Sequence, residues 1–381
     1  AIIKYSYDEY GNTKTFESAE GITTQYKEHD ALGNARLVVD PRGKEWRYQY
    51  DSDGNLLKSK TPLGNETINT YDKFGNLETE ADAMPNQGKN QFDKKYYYNE
   101  NNHLIKTEDS YGNFTETVKD YKGRSTKETD EESKTVAQRK YDLFGRLEWA
   151  IDGNGNKTTY IYKNDGSYPL MKPYRIEYPT ETKEFEYNKS GQVEIVKSIA
   201  DGKTVIASKT TYTPTGKKLQ ISDAKNNTVE YKYDKLGRNI TIVDQAGKEI
   251  VIDYDKRDNP RAVYDQEGTL TTYKFNKDDK PVAEIRDTNR AYDYIYNEAT
   301  GELDYQIDAK GNRIKVAYDD DKRIVQMKVY SADDLETPER ETTYNYYNSG
   351  LIQSYVDGTV TSEYQYTDNG KLKHEKVNYG T

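Results

Sequence analysis

The side chains that carry most enzyme chemistry are few here and scattered. The chain has three histidines, His29, His103 and His374, and no cysteine. Thiolate zinc sites, disulfide frameworks and thiol nucleophiles are therefore excluded. His29 occupies the place of a recurring tyrosine, where packing is its simplest role, and the other two histidines fall near turns. No Ser/His/Asp set, Walker loop or His-Glu-x-x-His pattern is written in the chain. With 66 Asp and Glu residues among 381, carboxylate pairs arise by chance and carry no glycosidase reading. The expectation is a protein that is not an enzyme, with no catalytic residue, no metal ligand set and no cofactor.

Two stretches start like calcium loops, Asp51-Ser52-Asp53-Gly54-Asn55 and Asp152-Gly153-Asn154-Gly155-Asn156. Such a loop needs a bidentate Glu at its twelfth position, and Pro62 and Lys163 stand there instead. Asp, Gly and Asn are also what a tight turn requires for itself, so these stretches read as turns. The 38 tyrosines offer a different chemistry, because aromatic faces can stack on sugars. Choline-binding and clostridial-toxin repeats, which do this, carry Trp in nearly every repeat, whereas this chain has only Trp46 and Trp149. The competing reading is that tyrosine rings stack from unit to unit as cross-strand packing.

What must position these residues is a repeat. Tyr212, Tyr233, Tyr254, Phe275 and Tyr296 are spaced 21 apart. One unit reads Tyr233-Asp234-Lys235-Leu236-Gly237-Arg238-Asn239-Ile240, and 11 residues after the tyrosine comes Asp244-Gln245-Ala246-Gly247. Asp265 and Gly268 close the next unit in the same way. A type I turn favours Asp at its first position, where the carboxylate caps the backbone, and Gly at its last, where positive φ costs nothing. Between the turns lie six residues, Arg238 to Val243, one strand of about 20 Å. Ile240, Ile242, Ile250, Ile252 and Tyr254 fall on one face of the pleat, and Thr241, Glu249 and Asp253 on the other. Each unit is two strands and two turns, and nothing has helical period.

The register can be followed along the whole chain. Clear units begin at Tyr7, His29, Tyr50-Asp51 with Gly54, Tyr71-Asp72 with Gly75, and Tyr141-Asp142 with Gly145. Asn102 replaces a turn glycine, Gly301 falls one place late, and Lys322 stands in another glycine position. Inserted loops are expected near 84–95, 163–186 and 331–343. The count is about seventeen units, hence about 34 strands, in one continuous segment over residues 1–381.

Composition bounds how such strands can pack. Mean hydropathy is −1.13, 32% of residues are charged, only 33% are hydrophobic, and the formal net charge is −10. Disordered chains share the charge but lack regular aromatics and β-branched residues, so this chain folds with a thin apolar layer. A sandwich needs two dry faces, which these strands cannot supply without burying charges. The fold class expected is all-β, an antiparallel meander with much of both faces wet that must curl, either into a solenoid or into a wide spiral wall. An acidic chain without basic clusters argues against nucleic acid. No signal peptide, lipidation motif or run of eighteen apolar residues is visible, so membrane insertion by this segment is not expected.

Tyr-Asp-x-x-Gly-Asn/Arg-Leu followed by Asp-x-x-Gly resembles the YD or RHS repeat, with the best matches at Tyr50 to Leu56, Tyr71 to Leu77, Tyr141 to Leu147 and Tyr233 to Ile240. The family includes bacterial RHS polymorphic toxins, wall-associated proteins of Gram-positive bacteria, C components of insecticidal toxin complexes, and teneurins. The resemblance implies a spiral β-shell, hollow or partly open, that encloses or displays a toxin or effector domain, with capping domains in the parent protein. It also implies a secreted or cell-surface bacterial protein, with a Gram-positive source favoured. Family members that release a cargo carry a core segment with an Asp-Pro-x-Gly-Leu type motif. The only Asp-Pro here, Asp40-Pro41-Arg42-Gly43, is followed by Lys44 and reads as an ordinary second turn, so self-cleavage is not implied. The alternative reading is a carbohydrate or cell-wall adhesin with Tyr-rich faces.

Overall fold

A computed structural model describes residues 2–81, 92–130, 132, 134–164, 166, 168–287, 289–366 and 372–380. Among them there is no helix, and 34 strands run from β1 (Lys4–Tyr7) to β34 (Leu372–Tyr379) in one antiparallel sheet. The all-β meander and its strand count are as the repeat predicts. Each described ladder joins strands consecutive in sequence, as short turns require. The first and last strands are exposed along their length.

The hairpin geometry follows from the turn residues. At Asp234 the backbone amide of Gly237 donates to the Asp234 carbonyl at 2.9 Å, and the Asp234 amide donates to the Arg238 carbonyl at 3.0 Å. Gly237 has φ +80°, and the pairing of β21 (Thr228–Tyr233) with β22 (Asn239–Val243) shifts register between Lys232 and Tyr233. This is the type I turn closed by a left-handed residue in a bulge. Asn102 at φ 59° and Lys322 at φ 67° take the same conformation without glycine.

The chain divides into two compact units, one of Ala1–Phe114 with Thr272–Thr381 and one of Thr115–Thr271. The expected inserted loop near 163–186 carries β16 (Arg175–Glu177) and β17 (Thr182–Tyr187), and β31 (Arg340–Tyr346) starts within 331–343. Most of the insertion expected at 84–95 lies outside the described residues.

Neither unit has a conventional core. Among the described residues, Leu37, Ala283 and Val316 are the buried apolar side chains, and no side chain is completely enclosed. Buried polar residues include Ser110, Thr241, Thr342 and Ser362. Thr241 lies on the side of β22 expected to be the more solvated, yet it is only 7% exposed. It opposes Lys232, a longer side chain, and Val251, one of its own size, so a short side chain is shaded between its cross-strand neighbours on the pleat. Burial here reflects side-chain height within a single layer rather than a second layer.

Candidate functional site

The recurring residues assemble into one repeated device. At Asp72 one carboxylate oxygen accepts the amides of Phe74 (2.8 Å) and Asn76 (3.0 Å), and the other accepts the Asn76 side-chain amide at 2.9 Å. Asp51 and Asp152 close their turns in the same way, with Asn55 and Asn156. In the stretches that start like calcium loops, both oxygens of the leading Asp are thus engaged by the turn. The Asn55 side chain is the main reason the Asp51 carboxyl sits below the usual carboxylate range, and Asn76 does the same for Asp72. Gly54, Gly75, Gly145, Gly237, Gly247 and Gly268 all have positive φ, as the turn requires.

The tyrosine that opens a repeat is tied to the repeat before it. The Tyr162 hydroxyl donates to the Leu147 carbonyl at 2.9 Å, Tyr233 to Lys218 at 2.7 Å and Tyr296 to Pro281 at 3.0 Å. Tyr71, Tyr98, Tyr212 and Tyr346 donate likewise to Leu56, Leu77, Val193 and Ile324, although the spacing varies from 15 to 22. In each case the acceptor is the fifth residue after the leading residue of the preceding first turn. Tyr141 donates to Ser125 on the same rule at 3.3 Å.

The residue just before that acceptor covers the tyrosine ring when it is a cation. The Arg146 guanidinium lies 4.3 Å from the centre of the Tyr162 ring, Arg238 4.8 Å from Tyr254 and Arg323 4.8 Å from Tyr346. Arg146 is the most enclosed of these, with its side chain 5% exposed. It donates to Asp142 at 2.6 Å and to Asn164 and the Leu170 carbonyl at 2.8 Å. Asp234 and Arg238 repeat the Asp142–Arg146 pairing. Ring-on-ring contacts run along a strand, as Tyr48–Tyr50 and Tyr292–Tyr294, or across a ladder as expected, as Tyr344–Tyr355 with ring centres 5.5 Å apart. Between these repeats a cation stands where tyrosine stacking was expected.

Tyr50, Tyr71, Tyr141, Tyr233 and Tyr254 therefore sit at repeat junctions, and Asp51, Asp72, Asp142, Asp234, Asp244 and Asp265 lead turns. The histidines are not brought together in one site: His29 lies 3.8 Å from Asp8, His103 follows a turn, and His374 faces Gln365 across β34. Among the described residues no three His, Asp or Glu side chains gather as a metal cluster. A surface concavity of about 740 Å³ is lined by residues including Glu128, Arg139, Ile151 and Pro179, with no tyrosine.

Within the first unit the early and late stretches touch through their turns. Arg42 donates to the Asp319 and Asp320 carbonyls, both at 2.7 Å, and pairs with Asp40 at 2.9 Å. Lys44 reaches Asp320 at 2.9 Å and Lys322 lies 3.8 Å from Asp40. Nothing in the 21-residue pattern signals this contact. The Asp-Pro turn is thus an ordinary hairpin turn with an additional partner.

Residues 29–66 match the RHS Repeat family. No curated protein matches the chain. Among solved structures, "Crystal Structure of TcdB2-TccC3-TEV" is similar at TM-score 0.72 and 15% identity, over 99% of this chain and 22% of that one. The structure of the Photorhabdus luminescens Tc holotoxin pore with a TccC3 mutation is similar at TM-score 0.65 and 14% identity, over 99% and 21%. "Crystal Structure of TcdB2-TccC3-Cdc42" gives 0.62 and 14%, over 99% and 23%. This chain therefore spans about a fifth of the length of the structures it resembles. The tyrosine-led turns recur along the chain, the matched RHS repeat falls among them at residues 29–66, and the fold is that of these structures over nearly every residue.

Proposed function

We propose that residues 1–381 act as one continuous wall segment of a shell, not as an enzyme, in a secreted or surface-displayed bacterial protein. The shell encloses or displays a toxin or effector domain that lies outside this chain, and capping domains of the parent protein cover the exposed strands at its two ends. The observation that carries this reading is the single-layer sheet, in which three apolar side chains are buried among the described residues. A wall wetted on both faces can hold a second polypeptide without gripping it, since it offers little continuous apolar surface. The likeness to toxin-complex structures supports the same reading, as a likeness of fold.

The adhesin reading has less support. Stacking on sugar needs a free ring face, and the rings of Tyr162, Tyr254 and Tyr346 each carry a cation while their neighbours spend hydroxyls on backbone. The most exposed rings, Tyr10 and Tyr121, stand at turns.

Small-angle X-ray scattering on the monodisperse monomer tests the proposal. A packed globule of this length has a radius of gyration of about 21 Å. The shell reading expects a clearly larger value with few interatomic distances at the centre, and a value at the globular limit sinks it. Calorimetric heat on adding wall polysaccharide would move the conclusion to the adhesin.

A further inference from the structure

The contact between the early and late stretches of the first unit falls at second turns that break the Asp-x-x-Gly rule. Ser18-Ala19-Glu20-Gly21 and Thr61-Pro62-Leu63-Gly64 have a hydroxyl where Asp40, Asp152, Asp223 and Asp244 have a carboxylate. In the ordinary turn one carboxylate oxygen accepts two amides: Asp40 takes those of Arg42 (2.9 Å) and Lys44 (3.0 Å), and Asp223 takes those of Lys225 and Asn227 at 2.8 Å. A hydroxyl cannot reproduce this alone. Ser18 Oγ accepts the Glu20 and Ile22 amides only at 3.3 Å each, and Thr61 Oγ1 accepts the Asn65 amide at 3.2 Å, all longer than the carboxylate contacts, so the turn amides are left short of a strong acceptor.

That acceptor comes from the late stretch. Asp278 accepts the Ser18 hydroxyl at 2.8 Å and the Glu20 amide at 3.1 Å. Asp321 accepts the Thr61 hydroxyl at 2.9 Å, the Leu63 amide at 3.1 Å and the Asn65 side-chain amide at 2.9 Å. Both pairs are separated by 260 residues, and both aspartates hold the third position of a first turn. At the first site the contact is reciprocal, since the Lys277 amide donates to the Glu20 carboxylate at 2.6 Å.

We propose that the Ser18 and Thr61 turns are receptor sites for a carboxylate delivered by another stretch of the same chain, and that Asp278 and Asp321 fill them and so fix the register of the two stretches. The chemistry accounts for the residue types. A serine or threonine hydroxyl both donates to the incoming carboxylate and accepts a turn amide, whereas an ionised Asp only accepts and would repel the incoming charge. Two receptors at the same offset define one pairing. Sliding by one repeat would set Asp278 or Asp321 against a turn led by a carboxylate, such as Asp40. Arg42, between the receptors, contributes from a turn that keeps its own carboxylate.

Residue-resolved hydrogen exchange on the intact chain tests this. In Asp278→Ala the Glu20 and Lys277 amides should exchange about tenfold faster while Leu63 is unchanged, and in Asp321→Ala the Leu63 amide alone should do so. Ser18→Asp combined with Asp278→Ala should restore protection at Glu20, because the turn then closes on its own carboxylate, but not at Lys277. Thr61→Asp alone should loosen the contact by placing two carboxylates together, and adding Asp321→Ser should reverse that. Unchanged exchange at Glu20 and Leu63 in the alanine variants overturns the proposal. So does a Thr61→Asp variant as well protected throughout the seam as the parent chain.

Discussion

The Tyr162 hydroxyl donates to the Leu147 carbonyl at 2.9 Å while the neighbouring Arg146 guanidinium lies 4.3 Å from the centre of the same ring. Two adjacent residues of one repeat thus hold the first tyrosine of the next from its edge and its face. Tyr162→Phe keeps the ring and leaves the carbonyl without its hydroxyl partner, which should cost about 1 kcal/mol. Arg146→Ala strips a nearly enclosed cation from Asp142 and from three further contacts, and should cost about 3 kcal/mol. Because both act on one ring, the double variant should fall short of the sum. Urea midpoints with unchanged slope would measure all three.

The turn glycines separate backbone strain from contact. Gly247 has φ +77° and a methyl group added there meets nothing within 4 Å, so Gly247→Ala should cost only the left-handed conformation, about 1 kcal/mol. Gly237 has φ +80°, but an added methyl would meet Lys217, whose ammonium reaches the Gly237 carbonyl and lies 5.5 Å from the Tyr233 ring centre. Gly237→Ala should therefore be the more destabilising, and thermal denaturation of the pair would show whether Lys217 matters.

How much of this was legible in the sequence depends on the range of the interaction. The Asp234-to-Gly237 turn and the strand after it are local, and the residue types that close them are written within five positions. The partner of each tyrosine was not legible by counting from the tyrosine, because the interval to the acceptor varies from 14 to 22 as strands and loops change length. Counted instead from the preceding first turn the acceptor is the fifth residue for Tyr71, Tyr162 and Tyr346, with Tyr187 reaching Pro173, the fourth after Pro169, and the Asn, Arg or Lys before the acceptor was the available signal. The contact of Ser18 with Asp278 lies outside any repeat-level pattern, and its trace was two second turns that lack Asp. The shading of Thr241 was missed because face alternation says which side a residue takes, not how tall its neighbours stand.

Acid should act first on the carboxylates that the fold holds ionised. Asp357 is lowered to about 2, chiefly by its hydrogen bonds from Arg340, and Asp51, Asp72, Asp152 and Asp223 are lowered mainly by the side-chain amides of their turn asparagines. A folded value below the unfolded one means stability that is present above about pH 4 and is lost as pH falls toward 2. Asp357→Asn should flatten that limb by removing its steepest contributor. An acid limb unaltered by the substitution would show that the Arg340 pair is not among its causes.

Base should act through the tyrosines, in the opposite sense. Burial raises the pH at which Tyr162, Tyr187, Tyr296, Tyr318 and Tyr346 ionise, and for Tyr162 the Asp142 charge adds to this while Arg146 opposes it. A phenol with a raised folded value contributes stability that is complete below its unfolded value of about 10 and disappears as pH rises through the folded value. These same hydroxyls include donors to the carbonyls that join repeats, and a phenolate cannot donate, so ionisation and loss of the junction are one event. Stability should therefore hold level through neutral pH and fall above about pH 10. Phenolate absorbance followed together with far-ultraviolet ellipticity would check it. The two should change together and more steeply than independent tyrosines do, whereas a gradual titration at the ordinary tyrosine value with the strands intact would show that the hydroxyl latches do not hold the repeats together.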